Sequence, residues 1–477
     1  MIPEAIHVPG IINGKKVGTF QYLIVFLCGL VMFLDGFDTQ AISYMAPLIA
    51  KEWNLSREIL GLIFSSALTG LMAGYLVLSP LSDRFGHRRM LIVSTVTFAL
   101  FTLATGFASS ATEVIALRFL AGVGLGAAIP SAVALTSEYS PKRLRASFVL
   151  AIYCGFSLGF VAAGVAAASL LPVYGWRSLL WVGALAPLVL ALVLYLRLPE
   201  SLEFLVRNGA DHNRIWNLLR RVDPRLTDRT EAARFTTDQE GKHSAVSGIF
   251  RSGRGAGTLL LWLVFIINLA EFYALQNWLP TILASFNYSI STIALATSLT
   301  TTGGIVAAFV VGPAMDRFGS YGSLGVVYLG GVIFVALAGA ALTGPEWMLL
   351  TVAFFAGFCV SGGQKSVIAL AAVFYPAPVR STGVGWALGI GRIGGIAGPL
   401  LFGVLLGWHL TPASAFYSAS MPMLLAAGAV MFMGRLYRAG TTRQLQKQDA
   451  EQPAVETRES RKGDESDAGR GRSHAVR

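Results

Sequence analysis

Apolar residues fill this chain in long runs, without the alternation of strands or the narrow stripes of surface helices. Runs long enough to cross a hydrocarbon layer, which takes ~20 apolar residues, fall near 20–45, 58–80, 90–108, 112–136, 146–170 and 178–197. They resume near 256–284, 290–314, 322–342, 346–372, 382–407 and 413–436. Lipid offers the backbone no hydrogen-bond partner, so runs of this length predict helices. The pattern predicts an all-α membrane protein with twelve transmembrane helices in two six-helix halves, at 20–197 and 256–436. Polar stretches frame the halves: an N-terminal segment at 1–19, a central loop at 198–255 and a tail at 437–477. The mixed charge of the last two predicts a short amphipathic loop and a disordered tail.

Charge sharpens the picture. Of the 477 residues 54% are hydrophobic and 13% charged, about half the charge of an ordinary soluble protein. This excludes a disordered chain, a coiled coil and a disulfide scaffold, and argues against a soluble enzyme. Eleven basic and eight acidic residues crowd into Arg197–Arg254, and nine basic and seven acidic into Tyr437–Arg477. The short loops alternate. One set carries Arg84, Arg88 and Arg89, then Lys142, Arg143 and Arg145, then Arg317, then Arg380, then Arg435 and Arg438; the other set is nearly neutral. Basic loops stay in the cytoplasm, which places both termini inside. The net charge of +11 is then an orientation signal, and no basic domain suggests nucleic acid. Cys28, Cys154 and Cys359 are scattered through apolar segments, as small packing residues are, and the six histidines are dispersed without metal spacing. No metal, no cofactor and no catalytic cluster are expected.

The chain also repeats itself. Asp83-Arg84-Phe85-Gly86 follows the second run and Asp316-Arg317-Phe318-Gly319 follows the eighth, 233 residues later. Two parallel halves around a site at mid-membrane is a transporter architecture.

These residues resemble a known family. Ser79-Pro80-Leu81-Ser82-Asp83-Arg84-Phe85-Gly86-His87-Arg88-Arg89 is similar to the loop signature of the major facilitator superfamily, with Ser79 in place of the usual Gly and His87 in place of the usual Arg. Gly312-Pro313-Ala314-Met315-Asp316-Arg317 keeps the Gly in the second copy. Arg118-Phe119-Leu120-Ala121-Gly122-Val123-Gly124 resembles the fourth-helix signature, and Pro199-Glu200-Ser201 one shared by several solute porters. Within the superfamily, Asp35-Gly36-Phe37-Asp38, Glu138, Asn277-Trp278-Leu279-Pro280 and Gly389-Ile390-Gly391-Arg392-Ile393-Gly394 resemble the aromatic acid:proton symporters over roughly residues 17–436. The resemblance implies the major facilitator fold in a bacterial inner membrane, acting as a monomer on a small aromatic carboxylate and protons.

Candidate residues follow from the scarcity of charge inside the spans. Asp35 and Asp38 share a helix face, at a depth where a carboxylate costs ~3 kcal/mol. Such carboxyls can take a proton on one side and release it on the other; the alternative is a pair of capping or salt-bridging groups. Arg118 is expected to be their charge partner or else a snorkelling anchor. Glu138 joins them as a proton-coupling candidate, with interfacial pairing to Lys142 and Arg143 as the alternative. Arg392 in its glycine-rich helix can hold a carboxylate with both guanidinium nitrogens. Lys365 is a second anionic anchor or a snorkelling residue, and Glu271 tunes substrate choice or faces a water cavity. Tyr153, Tyr273, Gln276, Asn277 and Trp386 are candidates for a ring slot with hydrogen-bonding groups; Trp278 reads as an interfacial belt residue. Asp83, Arg84, Arg88, Asp316 and Arg317 are expected to gate the cytoplasmic side, Asp83 by capping a neighbouring helix. The predicted function is proton-coupled import of a benzoate-like acid by alternating access. Another solute porter, a drug antiporter or a non-transporting sensor remain alternatives.

Overall fold

The structure is a computed structural model that describes residues 5–14, 16–226, 234–236, 249–250, 253–375, 379–408 and 411–437. Twelve spans among them are long and apolar enough to cross a membrane. After β1 (Ala5–His7) and α1 (Val8–Asn13), the first half comprises α2 (Thr19–Trp53), α3 (Arg57–Phe85), α4 (His87–Thr105), α5 (Ala111–Leu125), α6 (Ala128–Glu138), α7 (Arg145–Tyr174) and α8 (Arg177–Arg197). The short α9 (Leu202–Arg207), α10 (His212–Val222) and β2 (Arg234–Thr236) come next. The second half comprises α11 (Gly255–Ser285), α12 (Ile290–Phe318), α13 (Ser320–Ala341), α14 (Glu346–Phe374), α15 (Arg380–Gly407) and α16 (Pro412–Tyr437).

The fourth span is two helices, α5 and α6, where the apolar run predicts one. Gly126 and Ala127 form the break, and Pro130 sits in the first turn of α6, where its missing N–H costs nothing. The polar flanks also carry more structure than their composition predicts. β1 pairs in parallel with β2 of the central loop. α10 buries Ile215, Trp216, Leu219 and Val222, a helical spacing embedded in a charged stretch. The tail beyond residue 437 lies outside the described residues.

The internal repeat extends into backbone conformation. Gly86 (φ 98°) ends α3 and Gly319 (φ 92°) ends α12, both at positive φ, which residues with side chains rarely adopt. Asn54 (φ 50°) and Asn287 (φ 60°) turn the chain into the same two helices, and Asn is the residue besides Gly that tolerates this region. Ser56 and Ser289 then cap them, accepting from the Ile59 and Thr292 N–H groups. Each pair is 233 residues apart, the same offset as the tetrapeptides.

Glycines let matching helix pairs in the two halves touch backbone to backbone. Gly36 and Gly159 join α2 to α7, and Gly70 and Gly122 join α3 to α5. Gly303 and Gly357 join α12 to α14, and Gly394 and Gly398 join α15 to α11.

Between the halves, contacts gather toward the end opposite the arginine-rich loops. Ser43 Oγ donates to Asn277 Oδ1 at 2.9 Å, Ser65 Oγ to the Ile396 carbonyl at 2.8 Å and Arg57 to the Leu406 carbonyl at 3.0 Å. The Phe64 and Trp278 rings meet edge to face at 5.2 Å. Among the described residues, the side-chain hydrogen bonds that cross between the halves run from the depth of Arg392 to this end. The halves are sealed at the neutral end.

Candidate functional site

The centre of the molecule collects the charged residues of the spans into two groups. The first lies within the first half. Arg118 of α5 donates from one terminal nitrogen to both oxygens of Asp38 of α2, at 2.9 and 2.8 Å. Both residues are buried, and Thr102 of α4 adds a hydrogen bond to Asp38 at 3.4 Å. The Arg118 Nε and its other terminal nitrogen are buried without partners, so Asp38 is the group that neutralises this cation.

The second group bridges the halves. Arg392 of α15 donates to the Tyr273 hydroxyl of α11 at 3.2 Å and to the Tyr75 hydroxyl of α3 at 3.5 Å. Its guanidinium lies over the Tyr75 ring, 5.6 Å from the centroid. Tyr153 of α7 and Asp35 of α2 stand within electrostatic reach of the same cation. No hydrogen bond joins Asp35 to Arg392 among the described residues, and the buried Asp35 Oδ2 has no partner. This oxygen is a carboxylate acceptor left free inside the protein, beside a cation already shared by two hydroxyls.

The group borders an open space. A side chain grown at Gly389 or Gly385, on the Arg392 face of α15, would meet nothing within 4 Å. Tyr153 is 43% exposed although it sits among interior charges. Cys154 is exposed while Cys28 and Cys359 are buried. Lys365 of α14 is half-buried and its electrostatic neighbour is Cys154, across the gap in the other half. Glu271 of α11 is 5% exposed and has no side-chain partner among the described residues. Arg392, Asp35, Tyr75, Tyr153 and Tyr273, from five helices, thus gather beside this open space, with Lys365 across it.

Several expectations are corrected. Glu138 is not near Asp35 or Asp38. The adjacent Tyr139 carbonyl accepts from Gln21 at 2.7 Å, and Gln21 is fourteen residues from Asp35 along α2, about 21 Å at helical rise. Glu138 instead accepts from Ser201 Oγ at 2.5 Å, rather than from Lys142 or Arg143. Gln276 and Asn277 are not free to hold a ligand. The Gln276 side-chain amide accepts from Thr300 and donates to Thr301, both at 2.9 Å, the Gln276 backbone carbonyl accepts from Gln40 at 3.3 Å, and the Asn277 side-chain oxygen accepts from Ser43. They form part of the seal. So does Trp278, which is 1% exposed and donates to the Pro399 carbonyl, and is no belt residue. Trp386 lies on another face of α15, stacked on Trp262 with centroids 6.2 Å apart.

At the basic end the cap on α4 is Glu200, not Asp83. Glu200 Oε1 accepts the Arg88 N–H at 2.9 Å and the Ser201 N–H at 3.0 Å, placing a negative charge on a helix N-terminus. Asp83 is exposed, 3.8 Å from His87, and its carbonyl accepts from Arg207 at 2.5 Å. Arg88 donates to the Tyr195 carbonyl. Arg84 and Arg317 each lie over the next phenylalanine, Phe85 and Phe318, a second sign of the repeat. Asp316 stands at the matching place in the other half without an ion-pair partner among the described residues. In this conformation no hydrogen bond or ion pair among the described residues locks Asp83 or Asp316 to the opposite half.

Tyr75, Gln40 and Ser43 enter this geometry without a signal in the sequence, and the Pro199-Glu200-Ser201 motif does not reveal that Glu200 caps α4. A single tyrosine in an apolar run carries no signal of the arginine it will meet 317 positions later.

The comparisons with known proteins fit this geometry. The sequence profile of the Major Facilitator Superfamily matches residues 28–281 and 261–465. The chain is 39% identical to the 4-hydroxybenzoate transporter PcaK of Pseudomonas aeruginosa, over 91% of this chain and 97% of that one. It is 36% identical to the gallate transporter of Pseudomonas putida, over 91% and 96%. The fold superimposes on the partially occluded inward-open conformation of the xylose transporter XylE from E. coli with a TM-score of 0.68, at 17% identity, covering 88% of this chain and 98% of that one.

Proposed function

The chain belongs to the major facilitator superfamily, a superfamily of multi-pass membrane transporters and not of enzymes, and from this premise we propose that it imports an aromatic carboxylic acid together with protons by alternating access. The relatives are named for 4-hydroxybenzoate, gallate and benzoate. The observation that carries the reading is the Arg392 group: a cation walled by Tyr75, Tyr153 and Tyr273, with the free oxygen of Asp35 within its reach. The guanidinium receives the substrate carboxylate as a two-pronged hydrogen-bond donor. The tyrosine rings flank the aromatic ring. Lys365 offers a second cation for a ring substituent on the far side of the gap.

Coupling follows from competition. A charged Asp35 holds Arg392 electrostatically, and a proton on Asp35 releases that cation to the substrate. Glu271, buried without a partner, is a second proton carrier. Asp38 and Arg118 form the fixed pair behind them, strained open only if Asp38 takes a proton. One proton moving with one monoanion crosses without net charge, and a second adds the membrane potential, ~2.3 kcal/mol per 100 mV. Release of Asp83 and Asp316 from one half and closure onto the other sets the cytoplasmic gate. In this reading the arginine-rich loops, the open space and both termini face the cytoplasm of a bacterial inner membrane, which the basic loops support, and the monomer is the working unit.

Cys154 reports on the cavity directly, because it is the exposed thiol of the three. Benzoate and hydroxybenzoate are expected to slow its labelling by a membrane-impermeant maleimide applied from the cytoplasmic face. Benzamide, which keeps the ring and loses the charge, is expected to leave the rate unchanged. Equal protection by benzamide, or none by any carboxylate, contradicts the reading.

A further inference from the structure

A second polar cavity lies outside the transport site. It has a volume of about 440 Å³ and sits where the end of α8 meets α10. Arg88, Arg197, Arg214 and Arg221 line it, against Glu200 and Asp211. Glu200 is committed to the backbone N–H groups of Arg88 and Ser201, and Asp211 caps α10 through the Asn213 N–H. None of the four arginines makes an ion pair with a carboxylate among the described residues. The Arg88 Nε is buried without a partner. Arg88 also donates to the Tyr195 carbonyl and Arg221 lies over the Phe20 ring, so four arginines against two carboxylates leave the cleft with a surplus of positive charge that favours an anion.

The position of the cleft says which anion. Arg197 is the last residue of the 21-residue α8, so the cleft lies at headgroup depth. Leu185, Val189, Leu192 and Leu196 form an exposed apolar row at helical spacing that runs up α8 to Arg197. Tyr195, also exposed, stands at its end with Arg88 5.6 Å over its ring, as aromatic residues do at a membrane interface. We infer that this cleft binds the phosphate of an anionic phospholipid, with the acyl chains along the α8 row. Free phosphate has the same charge and lacks the chains. The site engages α4, α8 and α10 together, so its lipid fastens the polar helix α10 to the first half, next to the loop that carries Asp83.

The test uses the full chain in a neutral detergent, with lipid retention measured by native mass spectrometry. Phosphatidylglycerol is expected to be retained over phosphatidylcholine. The Arg197→Gln/Arg214→Gln variant is expected to weaken phosphatidylglycerol binding about 30-fold, from about fivefold per arginine near a membrane surface. Arg220→Gln, a neighbouring change outside the cleft, is expected to leave it unchanged, and Arg214→Gln alone keeps the test available if the double variant does not fold. Equal retention of the two lipids, or no loss in either Arg214 variant, overturns the inference. Inorganic phosphate binding as tightly as phosphatidylglycerol overturns the lipid as its source.

Discussion

Replacing Arg392 with Gln is expected to remove concentrative uptake while leaving a folded protein. A carboxylate that loses its buried cationic partner loses ~2–5 kcal/mol of binding, about 30-fold to several thousand-fold in affinity. The loss should appear as a raised KM for uptake. Arg392→Lys keeps the charge and loses the fork and the contacts to Tyr75 and Tyr273, so its defect should be intermediate. An Arg392→Gln carrier with the native KM would remove Arg392 from the substrate site.

The second large effect is on stability. Asp38→Asn leaves Arg118 charged, 1% exposed and without its carboxylate. Stranding one member of a buried pair costs ~3–5 kcal/mol, and the variant should denature at a clearly lower temperature in detergent. Removing the stranded charge as well, in Asp38→Asn/Arg118→Met, should restore much of that stability, because the penalty belongs to the unpaired ion. If the double variant is as unstable as the two single losses added together, the pair does not carry that energy.

Much of the architecture was legible because the membrane imposes one rule on every span. An apolar run of ~20 residues has to be helical, so twelve runs foretold twelve spans, and the displaced tetrapeptide foretold two related halves. The break between α5 and α6 had its signs in Gly126 and Pro130, but a hydrophobic run does not register a local turn. Asn54 and Asn287 repeat the offset of the tetrapeptides and were visible too, although only their shared backbone angle reveals what the repetition serves.

The site was legible in part. Charges that survive inside apolar runs are few, which picked out Asp35, Asp38, Arg118, Glu271, Lys365 and Arg392. Their pairing was not legible, because it depends on how helices from opposite halves dock. Asp38 meets Arg118 from 80 positions away, and Arg392 meets Tyr75 from 317. Nearness in sequence misled at Glu138, whose neighbours Lys142 and Arg143 suggested an ion pair where the fold supplies Ser201. Residue type misled at Gln276 and Asn277. Their amides suit a ligand, and the fold spends them on closing the neutral end.

Proton coupling is the centre of the account, and uptake of radiolabelled hydroxybenzoate into proteoliposomes under an imposed pH gradient tests it most directly. Accumulation above equilibrium is predicted when the lumen is alkaline relative to the outside, with collapse on adding a protonophore and no accumulation by Asp35→Asn. Accumulation that survives the protonophore, or that Asp35→Asn retains in full, contradicts it.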